Sequence, residues 1–303
     1  MLSQKTMFGV PATIEQTFNI YHDESGTYAG PGKGDRWLLH GVLLVPLSKR
    51  LEVFAALQEV REETNYWEEV HYKKIRHASY GPKALCARKW LHLYSVSLSG
   101  FCYYHCLAVD TQSPHFQHHR FTQPYHAYNR FARMAVEGAI AWSLKRYHKV
   151  TLQFFSDEKS RSADDNFAIY LPKQVAKSIN TKRSQKPARY PLIELLYPQV
   201  IEVNSDPKKV SSELLPDSEL VQLVDLLTSN IAQALTGRST QEAKIQLSEI
   251  VSQWVQDTNK PPWLQTLDLY RRFSVSYFPD NHGGFGKPVT NTIPKGQGRL
   301  EKF

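Results

Sequence analysis

The segment Phe18-Asn19-Ile20-Tyr21-His22-Asp23 constrains this chain most. Its alternation puts Phe18, Ile20 and His22 on one face of a strand and Asn19, Tyr21 and Asp23 on the other, and Ser25-Gly26 supplies the turn that ends it. Trp37 to Pro46 is a second, apolar run, and the Gly- and Pro-rich stretch Thr27 to Asp35 between them predicts a β-hairpin. Asp23 thus closes a hydrophobic strand, the place where α/β domains carry ligands and reacting groups.

The rest of the chain alternates between helical and strand periodicity. Ser48 reads as the cap of a helix to about Tyr66, with Leu51, Phe54, Leu57 and Val60 along its buried stripe. Glu69 to Ile75 reads as extended, Lys83 to Leu98 as a helix, Phe101 to Val109 as a strand and Tyr125 to Tyr147 as a long helix. A strand from Val150 to Phe155 ends in Ser156-Asp157-Glu158. A helix around Asn166 to Ser178 and a strand near Gln199 to Val203 follow, and Asp217 caps a helix from Ser218 to Leu235. This order predicts a mixed α/β domain over residues 15–240. Two helical patterns, Thr240 to Trp254 and Pro262 to Phe273, predict a C-terminal helical appendage over 241–278, and a Gly- and Pro-containing basic stretch predicts a flexible tail over 279–303.

With 41% hydrophobic residues in 303, the chain can bury roughly 75% of its surface, as a folded domain does. No apolar run approaches the ~20 residues that span a bilayer, so no membrane partner is expected. The first residues lack a basic region followed by an apolar one, and the cytoplasm is the expected compartment. Cys86, Cys102 and Cys106 are an odd number without zinc-finger spacing and read as reduced thiols.

The formal charge of +8 is unevenly spread. Residues 1–70 carry a net of −4, whereas residues 71–150 hold 12 basic side chains against Asp110 and Glu137 alone, a net of +10. Aromatic residues are interleaved there, including Tyr72, Tyr80, Trp90, Phe121 and Tyr125. Such a block suits phosphate contact, with Lys73, Lys74 and Arg76 as candidates, and suggests a nucleic-acid partner. A solvated basic face is the plainer alternative. His115, His118, His119 and His126 crowd a polar loop in this block, a candidate for phosphate contact or, with poorer spacing, for zinc. Gly283-Gly284-Phe285-Gly286-Lys287 lacks Walker spacing and a preceding strand.

Four carboxylates stand out. Asp23 and Asp157 each follow a strand; Glu69 opens an extended segment; Asp225 lies about 140° from Leu220 on its helix, at the border of the apolar face. Two unit charges 4 Å apart at an effective dielectric of ~20 repel by roughly 4 kcal/mol, so carboxylates that meet need protons or cations. Hard oxygen donors without paired His or Cys favour Mg²⁺ or Mn²⁺, and two such ions can activate water and stabilise a leaving oxygen in phosphodiester cleavage.

Tyr21-His22-Asp23-Glu24-Ser25-Gly26, together with Gln222-Leu223-Val224-Asp225, resembles the strand-one and late-helix motifs of a bacterial and phage family of unknown function within the ribonuclease H-like superfamily. Glu69-Val70-His71-Tyr72 and Phe155-Ser156-Asp157 are similar to its shorter middle motifs. The resemblance spans about residues 18–236. It implies a five-stranded, ribonuclease H-like mixed sheet flanked by helices, enlarged here by a helical insertion over Lys83 to His148, with Asp23, Glu69, Asp157 and Asp225 as metal ligands and catalytic residues. Glu68 or Glu158 could replace Glu69 or Asp157. A role in defence against phages would suit such a family.

The expectation is therefore a Mg²⁺- or Mn²⁺-dependent nuclease acting on RNA or DNA. The alternative is a nucleic-acid-binding or partner-binding module on the same fold whose carboxylates do not catalyse. Phosphotransfer on a small phosphorylated molecule is a third reading, without a nucleotide-binding loop to support it.

Overall fold

A computed structural model describes residues 14–76, 81–159, 163–258, 260, 264–267, 269 and 272–279. The predicted hairpin forms: β1 (Glu15–Ser25) pairs antiparallel with β2 (Trp37–Pro46), Asp23 opposite Gly41. Gly26, at φ +89°, turns the chain away, and a β-carbon there would collide with the Trp37 carbonyl. α1 (Arg50–Thr64) and α2 (Pro82–Val96) lead to β3 (Tyr103–Asp110), which pairs antiparallel with β2. α3 (Pro124–Ser143) precedes β4 (Lys149–Asp157), which runs parallel to β1 with His22 beside Ser156. α4 (Phe167–Gln185) precedes β5 (Leu192–Val203), parallel to β4. α5 (Leu215–Thr236), α6 (Glu242–Thr258) and β6 (Phe273–Phe278) follow.

The result is a six-stranded mixed sheet in the order β5-β4-β1-β2-β3-β6. Helices cover both faces. One core packs Tyr21, Leu43, Trp90 and Leu223 between the sheet and α1, α2, α5 and α6; the other packs Phe18, Ile20, Phe131 and Leu171 between the sheet and α3 and α4. The three cysteines are free and buried. Among the described residues no helix is long and apolar enough to cross a membrane.

Several expectations need correction. The region 83–148 is not a helical insertion alone, because it contains β3, an integral strand of the sheet. Nor is 241–278 a separate helical appendage: α6 packs in the first core, and β6 extends the sheet parallel to β3, from Tyr104 beside Phe273 to Val109 beside Phe278. The expected helix from Pro262 to Phe273 does not form in the residues described there, 264–267, 269 and 272–273, and Phe273 instead opens β6; all of the expected tail beyond Pro279 lies outside the described residues. β5 begins seven residues before the predicted start. As an edge strand with a register shift opposite Leu152 to Phe154, it tolerates Pro198 and exposes Leu196 and Tyr197, which erases the alternation that would have revealed it.

In α1 the buried stripe is Val53, Leu57, Val60, Arg61 and Thr64, and Leu51 is 64% exposed. An arginine on the inner face hides this register from a hydrophobicity pattern. Ser48 and Asp217 cap no helix; Lys49 and Leu214 stand at those positions, and Asp217 lies in the first turn of α5. The Glu69 to Ile75 segment is extended at His71 and Ile75 but joins no sheet, and a 3₁₀ turn at Tyr72–Lys74 interrupts it, its Val70, Tyr72 and Ile75 side chains buried.

Candidate active site

α5 carries most of the scaffold for the site, and it is buried nearly all round. Its N-terminal turn is tied to the sheet through Asp217, whose Oδ1 accepts from the Tyr21 hydroxyl at 2.7 Å and from Arg50 Nε at 2.8 Å. It crosses β2 at Gly41, where a β-carbon would strike the Thr228 hydroxyl. Two turns of α5 then grip the loop after α1. Arg61, 1% exposed, donates from Nε and Nη2 to Glu219 at 2.9 and 2.8 Å and from Nη1 to the Tyr66 and Glu68 carbonyls.

Gln222 and Asp225, one turn apart, complete the grip. Gln222 Oε1 accepts from the Val70 backbone N–H at 2.7 Å, and Asp225 Oδ2 accepts from the Tyr72 N–H at 2.9 Å. The Gln-Leu-x-Asp pattern thus has a local physical meaning: two acceptors at i and i+3 on one helix face hold alternate backbone donors of an extended loop. Asp225 is 7% exposed and inside the packed region, so its expected place at the border of the core is corrected. Its remaining bonds come from His71 Nδ1 at 2.6 Å and Ser229 Oγ at 3.0 Å. Burial alone would raise the Asp225 pKa, but these donors and the His71 charge outweigh it and hold it below the usual carboxylate range. The same hydrogen bond raises the His71 pKa, with the Asp225, Glu69 and Asp23 charges adding to it against burial.

Asp23 comes to this place from the C-terminal end of β1, on the face that also presents Tyr21, and Asp157 ends the neighbouring parallel strand β4. Burial pushes the Asp23 carboxyl up to about 8; Lys159 opposes the rise, while Glu24, Asp225 and Asp157 add to it. Burial also raises Asp157, against Lys159 and the Ser205 hydroxyl, and with Asp225 and Glu24. Glu69 lies at the edge of the same group, 8% exposed, accepting from Ser205 Oγ at 2.9 Å and paired with Lys74. The two alternatives are placed elsewhere: Glu158 is exposed and accepts from Asn204, and Glu68 is exposed at 3.4 Å from Lys208.

Lys159, just past β4, was not singled out by sequence reasoning. Its ammonium lies 3.1 Å from Asp23 Oδ1 and also bonds Glu24, which points to the other face of β1 and accepts from the Tyr128 hydroxyl at 3.0 Å. Nothing local in Asp157-Glu158-Lys159 foretells a contact with a residue 136 positions earlier. Behind Glu24, His22 and His40 are buried and joined at 3.0 Å, and burial drives His40 down to about 3.

Of the basic candidates, Lys73 and Arg76 are exposed at the rim, and Lys74 is engaged by Glu69. Lys244 of α6 stands over the Tyr72 ring at 5.0 Å, its pKa lowered by burial and by Arg76, a further rim cation supplied from beyond the expected domain boundary. On the opposite side a cleft of about 260 Å³ opens beside Lys159, lined by Glu24, Thr27, Tyr125, Tyr128 and Asp165. In the histidine-rich loop, His118 bonds the Tyr28 hydroxyl and His126 bonds Thr122.

The donor set matches a hard divalent cation in chemistry: carboxylate oxygens share one field, and burial first, then the acidic neighbours, raise the Asp23 carboxyl. The side chains as placed do not close around an ion. Among the described residues no three His, Cys, Asp or Glu form a group that could hold a metal, and the charge that meets Asp23 is the Lys159 ammonium. Compared with profiles of known protein families and with curated proteins, the chain matches none.

Proposed function

We propose that this protein is a Mg²⁺- or Mn²⁺-dependent nuclease that hydrolyses phosphodiester bonds in RNA or DNA on a ribonuclease H-like fold. A three-stranded antiparallel meander, extended through β1 by two parallel strands, is compatible with that fold. The observation that carries the reading is that the adjacent parallel strands β1 and β4 bring Asp23 and Asp157 to the same end of the sheet, where Asp225 of α5 acts on both, with burial pushing Asp23 up to about 8. Evenly solvated surface acids do not behave this way.

Asp23, Asp157 and Asp225 would hold the cation, with Glu69 beside them. When bound, the cation supplies Lewis-acid polarisation of the phosphoryl oxygens. Lys73, Lys74, Arg76 and Lys244 meet the flanking phosphates. Tyr125 and Tyr128 offer ring surface to a base in the adjoining cleft. His71, whose protonation Asp225 favours through Nδ1, would donate from Nε2 to a leaving oxygen.

One observation favours the second reading, a binding module without catalysis: the Lys159 ammonium already pairs with Asp23 and Glu24 where a cation would sit. Calorimetry with Mn²⁺ separates the two. The nuclease reading expects a saturable site that disappears in Asp23→Asn; no Mn²⁺ site in the wild type leaves the binding module.

A further inference from the structure

A second charged cavity lies away from the carboxylates, between the histidine-rich loop, α3 and α4. It has a volume of about 450 Å³ and is lined by Arg120, Arg130, Arg133 and Lys182, with Phe116 and Met134 among its apolar walls. Arg130, Arg133 and Glu137 fall at i, i+3 and i+7, so α3 presents them on one face. Among the described residues Glu137 is the only acid lining the cavity, and it is already bonded by Lys182 Nζ at 2.6 Å. Arg133 Nε lies 3.4 Å from Glu137 Oε1 without a hydrogen bond, and among the described residues the Arg120 and Arg130 guanidinium groups have neither hydrogen bond nor ion pair.

Four cations against one carboxylate is an imbalance that folding alone does not reward. Burial lowers the Arg130 pKa, and Arg120 and Arg133 lower it further. Guanidinium groups in this setting are completed by an anion that accepts several N–H bonds at once, and phosphate is the anion whose oxygens match their fork. A solvated basic face would instead spread its charges and leave no cavity. The space also exceeds a bare anion: a water takes about 30 Å³ in the liquid, so about 450 Å³ admits a phosphate with the organic group it esterifies.

We propose that this cavity is a binding site for a phosphate monoester of nucleotide size, with Arg120, Arg130 and Arg133 on the phosphate and Phe116 and Met134 against the organic group. The site is independent of the carboxylates, so it does not rest on the nuclease reading. The phosphate could belong to a free nucleotide or to the phosphorylated end of a nucleic acid.

The test is calorimetry of the full chain with AMP, inorganic phosphate, and one oligonucleotide with either a 5′-phosphate or a 5′-hydroxyl. Saturable binding of AMP, or of the 5′-phosphorylated oligonucleotide over its hydroxyl twin, supports the site and names the source. Arg130→Gln and Arg133→Gln should each weaken it about tenfold, and Glu137→Gln should tighten it severalfold, a reversal that a merely structural role would not produce. Arg120→Gln, on an exposed loop, serves if either α3 variant fails to fold. Asp23→Asn should bind as the wild type does, which separates this site from the proposed nuclease centre. No saturable binding of any probe, oligonucleotide binding indifferent to the 5′-phosphate with none of AMP, or affinity unchanged in the arginine variants overturns the proposal.

Discussion

Lys159 Nζ lies 3.1 Å from Asp23 Oδ1 and bonds Glu24 as well, so one ammonium serves two carboxylates that leave β1 on opposite faces. Against burial, Tyr128 and then Asp23 and Glu24 raise the Lys159 pKa well above its ordinary value. A cation that enters among Asp23, Asp157 and Asp225 competes with this ammonium. Lys159→Ala should therefore tighten Mn²⁺ binding by about tenfold while lowering the stability of the metal-free protein by about 1–3 kcal/mol. Titration calorimetry and urea unfolding read the two effects; weaker Mn²⁺ binding in the variant would place Lys159 with the cation rather than against it.

His71 reports on Asp225 directly. Its raised pKa comes first from the 2.6 Å hydrogen bond to Asp225 and then, against burial, from the surrounding carboxylates. In Asp225→Asn the imidazole keeps its burial and loses the charge, so its pKa should fall below that of the wild type. An NMR titration of the His71 ring resonances measures this without any assay of activity, and an unchanged midpoint would mean that the pair does not exist in solution.

Acid should remove the stability that the buried histidines contribute, while Asp23, raised by burial to about 8, works in the opposite direction over the same range. Burial holds His40 at about 3 and His105 at about 4, whereas both titrate near 6.5 when unfolded. Their contribution is complete above pH 6.5 and falls away as the pH drops toward 4, because the unfolded chain then binds the extra protons. At pH 5 each costs about 2 kcal/mol relative to neutral pH. His105 bonds Ser274 across β3 and β6, away from the carboxylates, so His105→Gln should flatten the loss between pH 6.5 and 5 in denaturant titrations.

The Arg61–Glu219 pair fixes the loop that carries Glu69 and His71. Both side chains are almost fully buried, and removing one strands the other. Arg61→Ala should cost about 3–5 kcal/mol and loosen the protection of the Val70 and Tyr72 amides against hydrogen exchange. Amide protection as in the wild type would show that Gln222 and Asp225 hold the loop unaided.

How much of this was legible in the sequence depended on range. β1, β2 and the body of α5 were legible because their patterns are local: alternation, an unbroken apolar run, a 3.6-residue stripe. β6 was not, since six residues isolated by a long excursion become a strand only beside β3. Asp217 looked like a cap and instead meets Arg50 and Tyr21, partners 167 and 196 residues away. The same limit applies at the site. Asp23 and Asp157 could be picked out because each ends a strand, whereas Lys159, Lys244 and the role of Gln222 arise from contacts that no spacing encodes.

The claim that stands or falls first is metal-dependent cleavage at the carboxylates. A panel of single-stranded RNA, single-stranded DNA, duplex DNA and RNA–DNA hybrid, each with Mg²⁺ and with Mn²⁺, should show cleavage of at least one substrate by the wild type. Asp23→Ala, folded by circular dichroism, should reduce it at least about 10³-fold, as loss of a group central to the chemistry does. Equal specific activity of the two proteins, or no cleavage of any substrate by the wild type with either ion, would contradict the account.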